Sequence, residues 1–397
     1  MSYDIQLEGS SVLVVDDNVK NLQILGVILQ NEGFRVEFAL DGISALSWLE
    51  NKEFDLILLD IRMQGMDGFE VCSHIKKNRN YHEIPIIFIT AQTDSDSIVK
   101  GFEKGAVDYI TKPFIRSELL ARVNTQLIIK RSNDQILHYL NEIEEKNKNI
   151  SDSIEYASYI QNAVISTSEK NLKILPEHFI IYLPKDILSG DFYWIGKTEN
   201  KVIIAVMDCT GHGVPGALMS VLGNTLLNEI ILRDGIQQPD QILNSLRSRI
   251  INALGQKKDS SNIKDGIEGS VICTVPGSDK IQYSGAFNPL ILFHDDQILE
   301  IKADRIPIGY FETNREFTLK ELKVRNNDII YMFSDGITDQ FGGAFNKRFM
   351  LKKLKEILHL IHKRDLAEQK EIILTELNRW KNDLIQTDDI LIMGIRF

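Results

Sequence analysis

The spacing of apolar and polar positions changes twice along the chain. In the first part, short apolar runs alternate with amphipathic stretches. SVLVV, FRVEFA, DLILLDI, IPIIFITA and DYIT read as strands, and NLQILGVILQNEG, ISALSWLEN, GFEVCSHIKKN and SIVKGFEKGA as the helices between them. Alternation at these lengths means βαβ units and a doubly wound parallel sheet of five strands, helices on both faces. The strands are almost wholly apolar, as strands buried on both sides are. This pattern sets a first domain at residues 9–123.

From Ser117 the pattern becomes helical, with no Gly or Pro before Pro176. Ile129, Ile136, Ile143, Ile150 and Ala157 recur every seventh position, and Asn133, Leu140, Asn147, Ile154 and Gln161 form a second series offset by four. Those are the d and a positions of a coiled coil, and Asn at two a positions favours a defined register and a homodimer. The same stretch, charged around NEIEEKNKN, also reads as a solvated linker helix. The linker is set at residues 124–171. A continuous helix of about 50 residues reaches roughly 75 Å.

The remainder, residues 172–397, is β-rich. KVIIAVMD, GSVICTV, KIQYSGA, LILFH, DIIYMFSD and DILIMGIRF read as strands. ALMSVLGNTLLNEIILRDG with DQILNSLRSRIINALG, and later FMLKKLKEILHLIH, read as two helical blocks. Strands joined by turns, with helices in separate blocks, predict an α/β sandwich of mostly antiparallel sheets.

Composition narrows the function. The 397 residues carry a net charge of −11, which argues against a nucleic-acid-binding surface. Cys72, Cys209 and Cys273 form no CxxC pair, and the N-terminus has no secretory pattern. No apolar run approaches the roughly 20 residues of a membrane helix. The expectation is a soluble, cytoplasmic chain with no membrane partner.

In the first domain the chemistry-bearing residues fall at strand ends: Asp16 and Asp17 after the first strand, Asp60 at the end of the third, Thr90 at the end of the fourth, and Lys112-Pro113 after the fifth. Open parallel sheets bind ligands at that edge. Three converging carboxylates call for a hard cation, which suits Mg²⁺. A carboxylate also serves as a nucleophile that forms an aspartyl phosphate, with Lys112 and Thr90 placed for its oxygens. VLVVDDN, DLILLDIRMQGMDGFEVC, PIIFITA and GAVDYITKPF resemble the response-regulator receiver domain, which has a flavodoxin-like fold. The resemblance implies Mg²⁺ on Asp16, Asp17, Asp60 and the Arg62 carbonyl, and phosphorylation of Asp60 by a sensor histidine kinase or phosphotransfer protein. It further implies Thr90 and Tyr109 as a switch pair and a cis Lys112–Pro113 peptide.

The C-terminal part carries four acidic clusters: SGDFYW with Asp191, MDCTGHG with Asp208, FSDGITDQFGG with Asp335, and QTDDILIMG with Asp388 and Asp389. Carboxylates gathered without matching cations suggest two divalent ions that clamp a phosphate and activate water. His212 reads as a structural turn residue in preference to a ligand, and Asp265 as a loop acid. From SIEYASYIQNAV to QTDDILIMGI the segment resembles the metal-dependent (PPM-type) protein phosphatases in their stage II sporulation protein E branch. The resemblance implies two Mn²⁺ or Mg²⁺ ions held by Asp208, Asp191, the Cys209 carbonyl, Asp335, Asp388 and Asp389. It also implies a phosphoserine or phosphothreonine substrate on a partner protein resembling an anti-sigma-factor antagonist. Two positions depart from the family: Trp194 stands where many members have an acid, and Leu391 where many have Ser or Thr. The alternative reading of this part is a phosphorylation-dependent binding scaffold, inactive as an enzyme.

Overall fold

The computed structural model describes residues 7–91, 95–165, 172–256, 265–312 and 315–397. The chain divides into two compact units, Met1–Asn147 and Lys148–Phe397.

In the first unit, β1 (Ser11–Val15), α1 (Val19–Gln30), β2 (Arg35–Ala39), α2 (Gly42–Asn51), β3 (Leu56–Asp60), α3 (Gly68–Lys77), β4 (Ile86–Thr90), α4 (Ser95–Glu103) and β5 (Asp108–Thr111) follow in order. The parallel sheet runs β2-β1-β3-β4-β5. Two-residue periodicity divides its side chains between two cores. Leu13, Val15, Ile57, Leu59, Ile86 and Phe88 enter one; Val12, Val14, Leu56, Leu58, Ile87, Ile89 and Ile110 enter the other. Local signals fix the helix starts. Asp41 with Ser44 and Asp67 with Glu70 form capping boxes that satisfy otherwise unpaired first-turn N–H groups. The chain order reverses direction between β1 and β3, so the ends of these strands flank the crevice where such sheets bind ligands.

The long helix α5 spans Arg116–Ile165. Its first turns belong to the first unit through buried Leu119, Val123 and Leu127. Ile129, Ile136, Leu140, Ile143 and Ile150 are each about half exposed, which leaves the heptad stripe open along this stretch. The stripe does not continue unchanged to its predicted end. Gln161, an a position by spacing, is buried: its amide donates to the Ser189 carbonyl at 2.5 Å and to Ser220 Oγ at 2.8 Å. The last turns of α5 therefore pack into the second unit, which begins at Lys148. Linker residues 166–171 lie outside the described residues.

The second unit has two five-stranded antiparallel sheets. One runs β13 (Lys320–Lys323), β10 (Lys280–Ala286), β9 (Ile267–Thr274), β8 (Val202–Cys209), β7 (Phe192–Lys197). The other runs β12 (Gln297–Ile301), β11 (Leu290–His294), β14 (Ile329–Phe333), β17 (Ile390–Arg396), β6 (His178–Leu183). Strand alternation again builds the layers. On β8, Val202, Ile204 and Val206 meet Leu391, Met393 and Ile395 of β17 between the sheets. Ile203, Ala205 and Met207 face outward onto α6 (Gly213–Asn228) and α7 (Pro239–Ala253). Ile390 and Ile392 face outward onto α9 (Met350–Ile361) and α10 (Leu366–Lys381), which follow the short helix α8 (Gly336–Asp339). A hairpin of β15 (Phe341–Gly342) and β16 (Lys347–Arg348) stands apart from both sheets.

The sequence reading missed β6, β7, β12, β13 and α10. Helix α10 shows why: only Leu366, Gln369, Ile373 and Leu377 are buried, and Gln369 interrupts the apolar stripe. Gln369 is held there by the Tyr331 hydroxyl, which donates to its Oε1 at 2.5 Å. Helix α6 also runs on without a break through a π-helical turn, so that Gly213–Arg233 is long and apolar enough to cross a membrane by length and composition, unlike any uninterrupted apolar run in the sequence. Its Met219, Leu227, Ile230 and Ile231 are packed in the outward core.

Candidate functional site

In the first unit the ligand atoms of Asp16, Asp17 and Asp60 lie within 4.8 Å of one another. Asp16 follows β1 directly and Asp60 ends β3, adjacent strands in the sheet. The Lys112 ammonium donates to Asp16 Oδ2 at 2.8 Å and to Asp60 Oδ2 at 2.9 Å. Asp16 is further held by the Asn18 N–H and the Asn21 side-chain amide. Burial raises the Asp60 carboxyl above its usual range, and the Asp16 charge adds to this, while the Lys112 hydrogen bond pulls it down. Lys112 loses stabilisation by burial, but its hydrogen bonds to Asp16 and Asp60 prevail and raise its pKa. Arg62 and Thr90 line the same cleft as Asp17, Asp60 and Lys112. Tyr109 shares an adjoining cleft with Thr90, Phe88 and Phe102. Gly68 permits this packing, because a Cβ there would stand 2.2 Å from the Asp60 carbonyl oxygen. The Lys112–Pro113 peptide is cis, as the receiver resemblance implies.

In the second unit, Asp208 is the penultimate residue of β8 and Asp191 immediately precedes its neighbour β7. Asp335 follows β14 by two residues and opens α8; Asp388 and Asp389 precede β17. The Asp335 N–H donates to Asp208 Oδ2 at 3.2 Å, which joins the two sheets at this point. Asp191 is 2% exposed, and its Oδ2 has no hydrogen-bond partner among the described residues. A buried carboxylate oxygen without a donor is costly unless a cation meets it. Burial holds Asp191 and Asp208 well above the usual carboxylate range, and the charges of Asp208 on Asp191 and of Asp335 on Asp208 add to it. Asp335 is raised by burial, then by Asp339 and Asp388. These oxygen donors fit divalent cations. Among the described residues they do not gather three within 4.8 Å, as the receiver acids do.

Asp389 differs from the other acids. Its Oδ1 accepts from the Lys185 N–H at 2.7 Å and its Oδ2 from the Gly190 N–H at 2.6 Å. Both of its oxygens hold backbone donors, so it anchors the loop that ends at Asp191. Gly190 is required there: a Cβ would stand 2.7 Å from the Gly211 carbonyl and 3.2 Å from that of Cys209, which puts the Cys209 carbonyl beside the same loop. His212 pairs with Asp186 at 2.8 Å and is half exposed, as a turn residue is. The two departures from the family pattern point into the interior. Trp194 donates to Asn228 Oδ1 at 2.8 Å, and Leu391 is fully buried between the sheets.

Glu268 was missed. It lies directly across from Asp208 in the β8–β9 register. Burial, helped by the Asp335 charge, pushes its carboxyl up to about 7. The sequence clue was its two-residue offset from Gly266 in KDGIEGSV, but without strand register nothing connected it to Asp208.

A profile of stage II sporulation protein E matches residues 198–397, half of the chain. The chain belongs to the stage II sporulation protein E family. A profile of the response regulator receiver domain matches residues 12–124. This member thus carries a response regulator receiver domain fused to a domain of a protein phosphatase family. The fold is similar to the SiaA-PP2C domain of Pseudomonas aeruginosa at 28% identity and a TM-score of 0.57, covering 64% of this chain and 98% of that one. The receiver is 40% identical over 124 residues to the DNA-binding response regulator MtrA of Mycolicibacterium paratuberculosis, covering 31% of this chain and 53% of that protein. It is 39% identical over 119 residues to the regulatory protein VanRc of Enterococcus gallinarum, covering 30% of this chain and 50% of that protein. The chain spans about half the length of the curated relatives it matches.

Proposed function

We propose that this protein hydrolyses phosphoserine or phosphothreonine on a partner protein, and that phosphorylation of Asp60 controls the reaction. The observation that carries the enzymatic reading is the buried, unpaired Asp191 Oδ2 beside Asp208, Asp335 and Asp388. A binding scaffold has no need of this destabilising cluster. When bound, two Mn²⁺ or Mg²⁺ ions supply charge neutralisation and an activated water. Asp208 and Asp191 would hold these ions with the Cys209 carbonyl, and Asp335 and Asp388 would complete the set. The chain's own task is to keep these oxygens fixed: Asp389 pins the Asp191 loop, and the Asp335 N–H orients Asp208.

In the receiver, Asp60 is the phosphoacceptor, Asp16, Asp17 and the Arg62 carbonyl would hold Mg²⁺, and Lys112 steadies the transferred oxygens. Its donor is a sensor histidine kinase or phosphotransfer protein. Thr90 and Tyr109 report the modification to α5, whose exposed heptad stripe pairs with a second copy. The substrate resembles an anti-sigma-factor antagonist. The deciding experiment is hydrolysis of a phosphoserine peptide by the full chain with Mn²⁺, against Asp208→Asn. Turnover that survives chelation, or that the mutant retains in full, overturns the metal-dependent reading.

A further inference from the structure

Close to the acidic centre stands one cationic side chain that no role described above uses. Asp335 opens α8, and its carbonyl accepts from the Asp339 N–H at 2.9 Å one turn later. The Asp339 carboxylate holds the guanidinium of Arg348, with Nη1 at 3.2 Å from Oδ1 and 3.0 Å from Oδ2. Arg348 also stands over the Phe341 ring, 5.7 Å from its centre, opposite it in the β15–β16 hairpin. Its side chain is 53% exposed, and Nε and Nη2 have no acceptor among the described residues.

The base of this hairpin is fixed. The Gly343 N–H donates to the Trp380 carbonyl at 2.8 Å, and Trp380 Nε1 donates back to the Gln340 carbonyl at 3.2 Å. Phe349, next to Arg348, packs edge-on against Trp380. An arginine pinned through one nitrogen, and open on the remaining edge of its fork, is preorganised for a tetrahedral oxyanion.

We propose that Arg348 binds the substrate phosphate: Asp339, one turn of α8 from Asp335, holds its guanidinium on that side of the carboxylate cluster. This rests on the phosphatase reading above.

The test uses the full chain with Mn²⁺, an aryl phosphate and inorganic phosphate as product inhibitor. Arg348→Ala should raise KM and weaken phosphate inhibition together, each by about tenfold, the usual cost of one charge-assisted hydrogen bond. The change in kcat should stay under about threefold, and Mn²⁺ affinity should be unchanged or tighter, because a cation near Asp335 is gone. Arg348→Lys should recover part of the phosphate inhibition, and Asp339→Asn should shift KM in the same direction but less. Wild-type KM and phosphate inhibition in Arg348→Ala overturn the assignment, as does a mutant whose defect is only a lower melting temperature with weaker Mn²⁺ binding. If the wild-type chain hydrolyses nothing under Mn²⁺, it is the phosphatase reading that fails.

Discussion

Asp389 and Gly190, nearly two hundred positions apart in the chain, are joined by a 2.6 Å hydrogen bond from the Gly190 N–H to the Asp389 carboxylate. With the second bond from Lys185, it fastens the loop carrying Asp191 to the start of β17. Asp388 and Asp389 therefore do different work despite being neighbours. Asp389→Asn puts an NH₂ against one of two backbone donors. It should cost about 1–3 kcal/mol of stability, since a buried N–H loses its acceptor, and weaken Mn²⁺ binding by roughly 10- to 100-fold through the loosened loop. Asp388→Asn should weaken Mn²⁺ binding without lowering the melting temperature of the metal-free protein. Paired melting curves and metal titrations of the two variants check this; equal melting temperatures contradict the anchor role.

The buried acids predict an unusual pH dependence for the metal-free protein. Asp191, Asp208 and Asp335 are raised in the fold, and Glu268 sits at about 7. In the unfolded chain the same groups titrate near 4. Between those values the folded state binds more protons, so stability is highest below about pH 4 for these groups and falls as pH rises through the raised values. Metal-free protein should lose melting temperature from pH 5 towards pH 7, and Mn²⁺ should reverse the loss. Mn²⁺ affinity should rise over the same interval, because binding expels protons. Asp208→Asn should flatten the metal-free curve. Thermal scans across pH with and without Mn²⁺ measure all three.

Phosphorylation of the receiver has its own readout. A small phosphodonor with Mg²⁺ should label the chain with an alkali-labile phosphate, and Asp60→Asn should reduce labelling to background because it removes the nucleophilic oxygen. Lys112→Ala removes the ammonium between Asp16 and Asp60, and should leave partial labelling uncoupled from phosphatase output. Full labelling of Asp60→Asn rules out Asp60 as acceptor.

The open heptad stripe from Ile129 to Ile150 predicts a phase-sensitive linker. Seven residues inserted between Asn141 and Asn149 preserve the a/d seam, whereas four make a stutter that turns the downstream helix by roughly 40°. Regulation by Asp60 phosphorylation should survive the first insertion, and the second should fix activity on or off. Equal regulation in both identifies the linker as a passive tether.

Much of this was legible in the sequence because it is local. Apolar runs of five residues ending in Asp16 and Asp60, and the cluster of glycines around Asp191, Asp208 and Asp335, show strand ends wherever they fold. Heptad spacing likewise reports a helix from side-chain periodicity alone. What depends on register was not legible. Glu268 acquires meaning only when β9 aligns it with Asp208, and Asp389 becomes an anchor only when β17 reaches the Gly190 loop. Gln161 kept its heptad spacing but turned into the second unit, where Ser189 and Ser220 satisfy a buried amide. Trp194 and Leu391 were read against the site and belong to the cores behind it, since successive strand residues point to opposite faces. The sequence by itself determined which groups can do chemistry, because residue type and strand ends are written in it. Only the tertiary structure decided which of those groups face one another, because hydrogen bonds and charges act across space over a few ångströms and not along the chain.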